Sequence, residues 1–315
     1  MLTLQSSDET LLKKKSSGRL YFQKTWQLYL MLIPPIVYFI IFKYVPIYNA
    51  RLAFMDYNMF RGISGSTWNN FANFKEVFHS NEFYHVLGNT LVLNLLDLAF
   101  GFPLPILIAL LLNELASDKI KNTTQTIIYI PYFLSWVVIS GIVLQLFNSK
   151  GVINAMVTAI THGPAINFLG NSGHWIAVYV LSGMWQSAGY GTIIYLAALS
   201  TVDETLYEAA YIDGAGRFRR IWHITLPAIK STIVTMLILS TGNIFNIGFD
   251  RPYMMGNALV QDACDVISTY VYRTGLQGGR FAYSTAVGLF QSVVSFVLLI
   301  IVNTICKKLG EEGIM

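Results

Sequence analysis

Few residues of this chain have the type and spacing that catalysis needs. Residues 62–65 spell GISG, a pattern that some serine nucleophiles carry, but they lie in the polar stretch RGISGSTWNN, which is typical of a turn. His79 and His85 are six positions apart, whereas two metal ligands on one helix face are spaced by four. The sequence also lacks a Cys-x-x-Cys pair and a nucleophile elbow. It therefore predicts neither a catalytic centre nor a metal site.

Asp97 is the acid that lies well inside an apolar stretch, near the middle of FYHVLGNTLVLNLLDLAFGF. Ionisable groups inside apolar segments are candidates for function, and a proton relay would favour an ion-coupled carrier. A relay needs a second acid, which the surrounding apolar sequence does not supply. We therefore expect Asp97 to make a structural hydrogen bond where helices or subunits meet.

The densest charge lies in the stretch YEAAYIDGAGRFRRIWHITLP, between two long segments that are almost free of charge. Within thirteen positions it carries Glu208, Asp213, Arg217, Arg219 and Arg220. Burying such groups at the centre of a bilayer costs ~2.5 to 3.5 kcal/mol each, so the stretch must lie outside the hydrocarbon. A charged helix of this kind either rests on lipid headgroups or docks in a groove of another protein.

The elements that position these residues are apolar helices. Hydrophobic residues make up 54% of the 315 and charged residues 12%, and the mean hydropathy is +0.51, which is typical of an integral membrane protein. A helical span needs ~20 apolar residues, and runs this long and continuous exclude barrel strands. We therefore predict an all-α polytopic membrane protein with six transmembrane helices, at about 26–42, 83–113, 123–147, 175–199, 227–249 and 283–306.

Lysine and arginine indicate the orientation of these spans. If the N-terminus is cytoplasmic, thirteen of the 21 basic residues fall on the cytoplasmic side, which favours cytoplasmic N- and C-termini. Residues 1–24 and 309–315 are then cytoplasmic tails with frayed ends, and 200–227 is a cytoplasmic loop. A cleaved signal peptide is the alternative for the first apolar run, but the run is long for one and lacks a small-residue cleavage pattern.

Local signals divide the charged loop into two helices. Thr201 and Glu204 have the spacing of a capping box, which would begin the first helix, and Gly214 would end it. A second helix starts at Arg217, and Pro227 opens the fifth span.

Tyr207 and Tyr211 lie one turn apart on the first of these helices and offer aromatic anchors to a partner. Ala209 and Ala210 between them allow a close approach of its backbone. The pattern therefore suits a helix that docks in another protein's groove.

The loop resembles a known family. Its spacing of Glu208-Ala209-Ala210, three residues, Gly214, nine residues, Ile224, one residue and Leu226-Pro227 is similar to the EAA loop of permease subunits of binding-protein-dependent ABC importers. Flanking segments such as IIYIPYFLSWVVISGIVLQLF and DVISTYVYRTGL resemble the branch that imports oligosaccharides and polysaccharide fragments. The resemblance covers residues 25–308.

The resemblance implies a fold and partners. The fold would be that of a type I ABC importer permease, with 25–308 as a transmembrane permease domain in the bacterial plasma membrane. The loop would couple to two cytoplasmic ATPase subunits, and the residues implied for this coupling are Glu208, Ala209, Ala210, Gly214, Ile224, Leu226 and Pro227. The chain has no Gly-Lys dipeptide and hence no Walker A loop, so ATP and Mg²⁺ would be bound by the ATPase subunits. A second, related permease subunit and an extracellular solute-binding protein would complete the complex.

An oligosaccharide path should combine aromatic rings with amides, because sugars present flat C–H faces and hydroxyl groups. The candidates within the predicted spans are Tyr132, Trp136, Trp185, Gln186, Tyr190, Asn243, Asn246, Tyr283 and Gln291. Each has an alternative role in helix packing or at the membrane interface. Two other functions remain open: an ion-coupled secondary sugar transporter acting alone, which internal inverted repeats would support, and a polytopic membrane enzyme.

Overall fold

The computed structural model describes residues 18–308. Residues 1–17 of the predicted tail 1–24 and the whole predicted tail 309–315 lie outside the described residues. The described chain is mostly helical and divides after Arg51 into two compact units. The first helix, α1 (Gly18–Phe39), starts within the predicted tail 1–24 and continues through a π-helical turn, Ile40–Tyr44, into α2 (Val45–Asn49). Every side chain from 26 to 49 is exposed in this unit, as is typical of a span that faces lipid or a partner.

The second unit begins with a short antiparallel hairpin and then consists of helices. In the hairpin, β1 (Met55–Asp56) pairs with β2 (Thr67–Trp68), and Met55 lies opposite Trp68. The helices up to the charged loop are α3 (Ala72–His79), α4 (Asn81–Leu96), α5 (Pro103–Asn113), α6 (Asp118–Tyr129), α7 (Trp136–Phe147), α8 (Val152–Thr161) and α9 (Ser172–Leu199). The later ones are α10 (Glu204–Ile212), α11 (Arg217–Arg220), α12 (Leu226–Ala228), α13 (Lys230–Gly242), α14 (Asp250–Met255), α15 (Gln261–Cys264), α16 (Ile267–Val271) and α17 (Phe281–Lys308).

Among residues 18–308, four helical stretches, or five if one bent pair is counted, are long and apolar enough to cross a bilayer, so the predicted six spans are confirmed only in part. The four stretches are Thr25–Phe54, Asn81–Asn113, Trp136–Thr161 and Phe281–Lys308. A fifth is possible if α11 to α12 and α13, which meet at a 63° bend, form one broken span. Helix α9 is not among them although it is 28 residues long. Polar residues such as Ser182 and Thr192 lower the hydropathy of α9, and the helix can carry them because they are buried against neighbouring helices rather than facing lipid.

The third predicted span, 123–147, is two helices instead of one. Helix α6 ends in a 3₁₀ turn, Ile130–Phe133, that contains Pro131, and a new helix starts at Trp136. Pro131 has no N–H to continue the helical ladder, and Ser135 accepts from the N–H of Val138 as the N-cap of α7. The apolar helical stretch therefore runs from Trp136 to Thr161.

The fifth predicted span, 227–249, is shorter at both ends. Pro227 does not open it, because α12 continues the helix of the charged loop and the span itself, α13, starts after the bend at Lys230. The helix then ends at Gly242, and residues 243–249 have no regular structure. Sequence hydropathy does not detect this break, because the residues remain largely apolar.

Three clusters of buried side chains hold the second unit together. One joins α4, α7 and α9 to the segment 255–266 around Trp175 and Tyr179. Another packs α3, α4, α16 and α17 around Phe83. The third lies beside the charged loop, where Ile229 packs with α5 and α9. Helix α9 contributes to two of these clusters and so forms the centre of the unit.

Candidate functional site

A cavity of about 360 Å³ lies in the middle of the second unit, within the range of about 300 to 1,000 Å³ that is usual for ligand sites. Its walls come from the π-helical turn Asp97–Gly101, from α5, α9 and α13, and from the irregular segment that follows α13. We call it the central cavity. Five of the nine predicted path residues line it: Trp136, Gln186, Tyr190, Asn243 and Asn246.

Aromatic rings form one side of the central cavity. Tyr190 of α9 lines it, and Tyr132 stacks on the far side of Tyr190 with ring centroids 4.7 Å apart and an interplanar angle of 12°. Tyr132 belongs to the 3₁₀ turn before α7, so the helix break at Pro131 places this ring. Gly189 allows the approach, because a Cβ there would lie 2.6 Å from the carbonyl oxygen of Ile128. The stacked pair fixes an aromatic surface of the type that binds sugar rings.

The irregular segment after α13 carries two amides that line the central cavity, those of Asn243 and Asn246, and two other amides hold the backbone of this segment. Asn94 donates from Nδ2 to the carbonyl oxygen of Ile244 at 2.7 Å, and Gln291 donates from Nε2 to that of Phe245 at 2.6 Å. Irregular backbone at membrane depth is tolerated where neighbouring groups satisfy it and where it lines a cavity. Gln291 therefore supports the wall rather than lining it, and Asn94, which the sequence analysis did not single out, both supports and lines it.

Asp97 forms an ion pair rather than the predicted simple hydrogen bond. Its Oδ2 lies 2.6 Å from Nη1 of Arg251 and its Oδ1 lies 3.2 Å from Nη2. The guanidinium Cζ is 3.5 Å from the ring centroid of Tyr179 and 4.9 Å from that of Trp136. The partner lies 154 positions away, outside the predicted spans, so local sequence gave no signal for it.

Two predicted path residues lie away from the central cavity. Trp185 is 46% exposed on α9 and does not line it. Tyr283 is buried in the cluster around Phe83, where its hydroxyl lies 2.8 Å from that of Tyr270. The sequence pattern did not distinguish these aromatic residues from the ones that line the cavity, because the difference depends on helix rotation.

The charged loop begins at a different cap from the predicted one. Asp203 is the N-cap of α10 and accepts from the N–H of Thr205 at 2.9 Å, whereas the Thr201 hydroxyl donates to the carbonyl oxygen of Ala198. The prediction of a capping box between Thr201 and Glu204 is therefore wrong. The hydrogen bonds from Thr205 hold the pKa of the Asp203 carboxyl below its ordinary value.

The end of α10 is as predicted, at Gly214. Gly214 has φ of +73°, its N–H donates to the carbonyl oxygen of Tyr211 at 3.0 Å, and the N–H of Ala215 donates to that of Ala210 at 2.8 Å. This pair of bonds is a Schellman motif, which satisfies the last carbonyls of a helix and turns the chain sharply. The turn sets the angle between α10 and the following helix.

The second helix of the loop starts at Arg217, as predicted, and passes through a π-helical turn, Ile221–Thr225, into α12. Tyr207 joins the two helices, because its hydroxyl donates to Oγ1 of Thr225 at 3.0 Å. Tyr207 is thus half-buried and is not the predicted external anchor, whereas Tyr211 is 75% exposed.

The loop has one exposed face and one face that packs on the spans. Glu208, Ala209, Gly214 and Pro227 are exposed, and Ala210, Ile224 and Leu226 are half-buried. The exposed face also carries large apolar side chains: Tyr211, Ile212, Phe218 and Trp222. On the inner face, Ile221 and Leu226 pack against the cluster around Ile229 that α5 and α9 form. A force on the loop would therefore reach α9, which also lines the central cavity.

Residues 18–308 contain no cluster of His, Cys, Asp and Glu that could hold a metal ion. His79 Nδ1 lies 2.7 Å from the Lys75 carbonyl oxygen, and His85 Nε2 lies 2.7 Å from that of Asp262. Both cysteines are free, and burial raises the pKa of the Cys264 thiol to about 11. The two histidines are therefore engaged in structural contacts, and the Cys264 thiol is held in its protonated form at neutral pH.

Comparison with known proteins gives consistent results. Residues 101–310 match the family model described as "Binding-protein-dependent transport system inner membrane component". The chain is 46% identical to the polygalacturonan/rhamnogalacturonan transport system permease protein YteP of Bacillus subtilis, over 98% of this chain and 96% of that protein. It is 47% identical to protein LplB of the same organism, over 91% and 90%. A crystal structure of a bacterial alginate ABC transporter, in complex with alginate pentasaccharide-bound periplasmic protein, contains a chain that superposes with a TM-score of 0.84 at 37% identity, covering 93% of this chain and 98% of that one.

Proposed function

Because this chain belongs to the family of inner-membrane components of binding-protein-dependent transport systems, we propose that it forms half of the pathway by which an ATP-driven importer moves an oligosaccharide. The observation that carries this proposal is the central cavity. It combines a stacked aromatic pair, Tyr132 on Tyr190, with amides exposed where the fifth predicted span breaks. Sugars are bound by such combinations of ring faces and two-way hydrogen-bonding groups.

The charged loop is the proposed contact to the source of energy. We expect six spans with both termini in the cytoplasm, of which α9 and the bent segment ending in α13 line the pathway. The exposed face of α10 to α12 would then dock on a cytoplasmic ATPase subunit that binds ATP and Mg²⁺. Closure of the ATPase pair would move the loop and, through Ile221 and Leu226, the spans beside it. The complex would comprise this chain, a related permease chain, two ATPase subunits and an extracellular binding protein.

The relatives support an oligosaccharide as the cargo. YteP is named for polygalacturonan and rhamnogalacturonan transport, and the alginate transporter was solved with a pentasaccharide on its periplasmic protein. Both names refer to polysaccharides, and the second also to an oligosaccharide of one. We infer the same class of cargo for this chain.

Reconstitution tests the proposal. The chain is purified with its partner permease and ATPase subunits, placed in proteoliposomes, and supplied with binding protein and a labelled oligosaccharide. Uptake that requires ATP, the ATPase subunits and the binding protein supports the importer. Uptake by this chain alone, driven by an ion gradient and unaffected by removal of ATP, would instead identify a secondary carrier.

Two cysteine variants test the orientation and the docking face. Phe218 is 81% exposed on the charged loop and Phe60 is 98% exposed near the hairpin. Phe218→Cys should cross-link to an ATPase subunit and resist a membrane-impermeant thiol reagent added outside intact cells. Phe60→Cys, the matched control, should react with that reagent and not cross-link. The opposite pattern would refute the proposed topology.

A further inference from the structure

Arg251 separates two cavities. It lines the central cavity and also an adjoining cavity of about 180 Å³ that reaches Gly248 and Asp250. We call this the outer cavity. Asp97 and Trp136 line both cavities as well, so the ion pair and the indole lie in the shared wall. The guanidinium is therefore exposed to a solute in either cavity.

We propose that Arg251 binds a carboxylate of the transported oligosaccharide and that Asp97 is the internal counter-ion which this carboxylate replaces. The inference rests on the proposed oligosaccharide cargo and narrows it to sugars that carry acid groups. In this exchange no covalent bond changes: the guanidinium passes from one carboxylate to another.

The guanidinium is held in place for this role on its face and on its edge. Tyr179 stacks against its face, Nη2 also donates to the Tyr179 carbonyl oxygen, and Nη1 and Nη2 hold Asp97 in the two-point geometry that suits a carboxylate. Gly183 makes room, because a Cβ there would lie 2.3 Å from Nη2. The remaining donor, Nε, is buried and has no hydrogen-bond partner within residues 18–308. Arg251 thus retains a donor that Asp97 does not use.

The charge of the buried group explains why the replacement should be anionic. The Arg251 side chain is 11% exposed and that of Asp97 is 27% exposed, so an unpaired guanidinium here would be poorly solvated. A neutral sugar that displaced Asp97 would leave this charge uncompensated. A carboxylate reproduces both the charge and the two-point geometry at Arg251, so the cost that remains is that of leaving Asp97, whose side chain is 27% exposed, to solvent.

One other acid lines the outer cavity. Asp250 is solvent-exposed and has no ion pair with Arg251 within 4 Å, so its charge is screened and opposes an anionic solute only weakly. It serves as a matched control for Asp97, because both are aspartates that line the same cavity.

The test uses the full complex in proteoliposomes with its binding protein and ATPase subunits. The probes are oligogalacturonides and oligomannuronates of four or five sugars, each compared with its own methyl ester, which has the same frame without the charge. The quantity measured is the ratio of kcat/KM for uptake of the acid to that of the ester. Every variant receives sugar from the same binding protein. The preference of the binding protein for acid or ester therefore cancels when the ratios of variant and wild type are compared.

Arg251→Gln should lower this ratio roughly tenfold or more, since a charge-assisted pair to the sugar is lost. Asp97→Asn should raise the ratio, because the competing carboxylate is gone, and Asp250→Asn should leave it unchanged. Gly183→Ala displaces the guanidinium without changing any charge, so it should lower the ratio even if Arg251→Gln fails to assemble.

Three results would count against the proposal. If Arg251→Gln and Gly183→Ala reduce uptake of acid and ester alike, the ion pair only ties helices together. If neutral oligosaccharides are taken up and no acidic one is, the acidic cargo is wrong while the proposed importer stands. If no oligosaccharide of either kind drives ATP hydrolysis or uptake, the proposed function itself fails and this inference with it.

Discussion

Gly214 offers a quantitative test of the coupling loop. Its φ of +73° lies in the left-handed region, and a Cβ at this position would meet no atom within 4 Å. A substitution therefore introduces conformational strain without a clash. For an L-residue that strain is about 1 to 2 kcal/mol, which lowers the ratio of the native turn to its alternative conformations by a factor of roughly 5 to 30.

Gly214→Thr is the informative change, because a β-branched residue resists positive φ and leaves the charge of the loop unaltered. Gly216→Thr is the matched control. Gly216 has an ordinary φ of −67°, its Cβ would also meet no atom within 4 Å, and it is the N-cap of α11, where threonine and glycine are about equally favourable.

The assay is ATP hydrolysis and uptake by the reconstituted complex, together with titration of the ATPase subunits onto the permease pair. For Gly214→Thr we expect the apparent affinity for the ATPase subunits to fall by at most roughly 5- to 30-fold, with unchanged insertion of the chain into the membrane, since the Schellman turn sets the docking angle. Gly216→Thr should resemble the wild type. Equal losses in the two variants, or full coupling in Gly214→Thr, would refute the reasoning.

Three further predictions concern single contacts. Tyr207→Phe removes the hydroxyl that donates to the second helix of the loop and should lower the stability of the loop by about 0.5 to 1.5 kcal/mol, measured by hydrogen exchange, whereas Tyr211→Phe should have no effect. Asp203→Ala should speed amide exchange in the first turn of α10 while Thr201→Ala does not. Since the pKa of Asp203 is lowered in the folded state, its contribution is present at neutral pH and is lost as the pH falls from the ordinary value of 3.8 through the lower pKa of the folded state. Gly189→Val should push the 3₁₀ turn that carries Tyr132 away from α9, because a Cβ at Gly189 already meets backbone at 2.6 Å. It should therefore lower the melting temperature of the purified complex.

Features that depend on residues close together in the sequence were predictable. The helices α4 to α5 and α17 lie where continuous apolar runs place them. The end of α10 at Gly214 follows from one residue that tolerates positive φ, and the start of the next helix at Arg217 follows from the turn before it. The cap of α10 was misplaced by two residues, because Thr201 and Asp203 are both good caps and the geometry of the preceding helix decides between them.

The residues that line the candidate path were predicted only in part. Residue type shows that an aromatic ring or an amide suits a sugar, and five of the nine candidates do line the central cavity. The rotation of each helix decides which side chains point inward, and packing against other helices sets that rotation. Trp185 and Gln186 are adjacent in sequence, yet one is exposed outside the cavity and the other lines it.

The sequence by itself determined that this is a helical membrane protein with one charged, glycine-broken loop, because the cost of burying charge and the conformational freedom of glycine are local properties. Only the tertiary structure decided that Asp97 pairs with Arg251, that the segment after α13 is not helical, and that Tyr207 ties the loop together. Each of these depends on groups that are far apart in the chain, so the free energy of the contact exists only once packing has brought both partners to the same place.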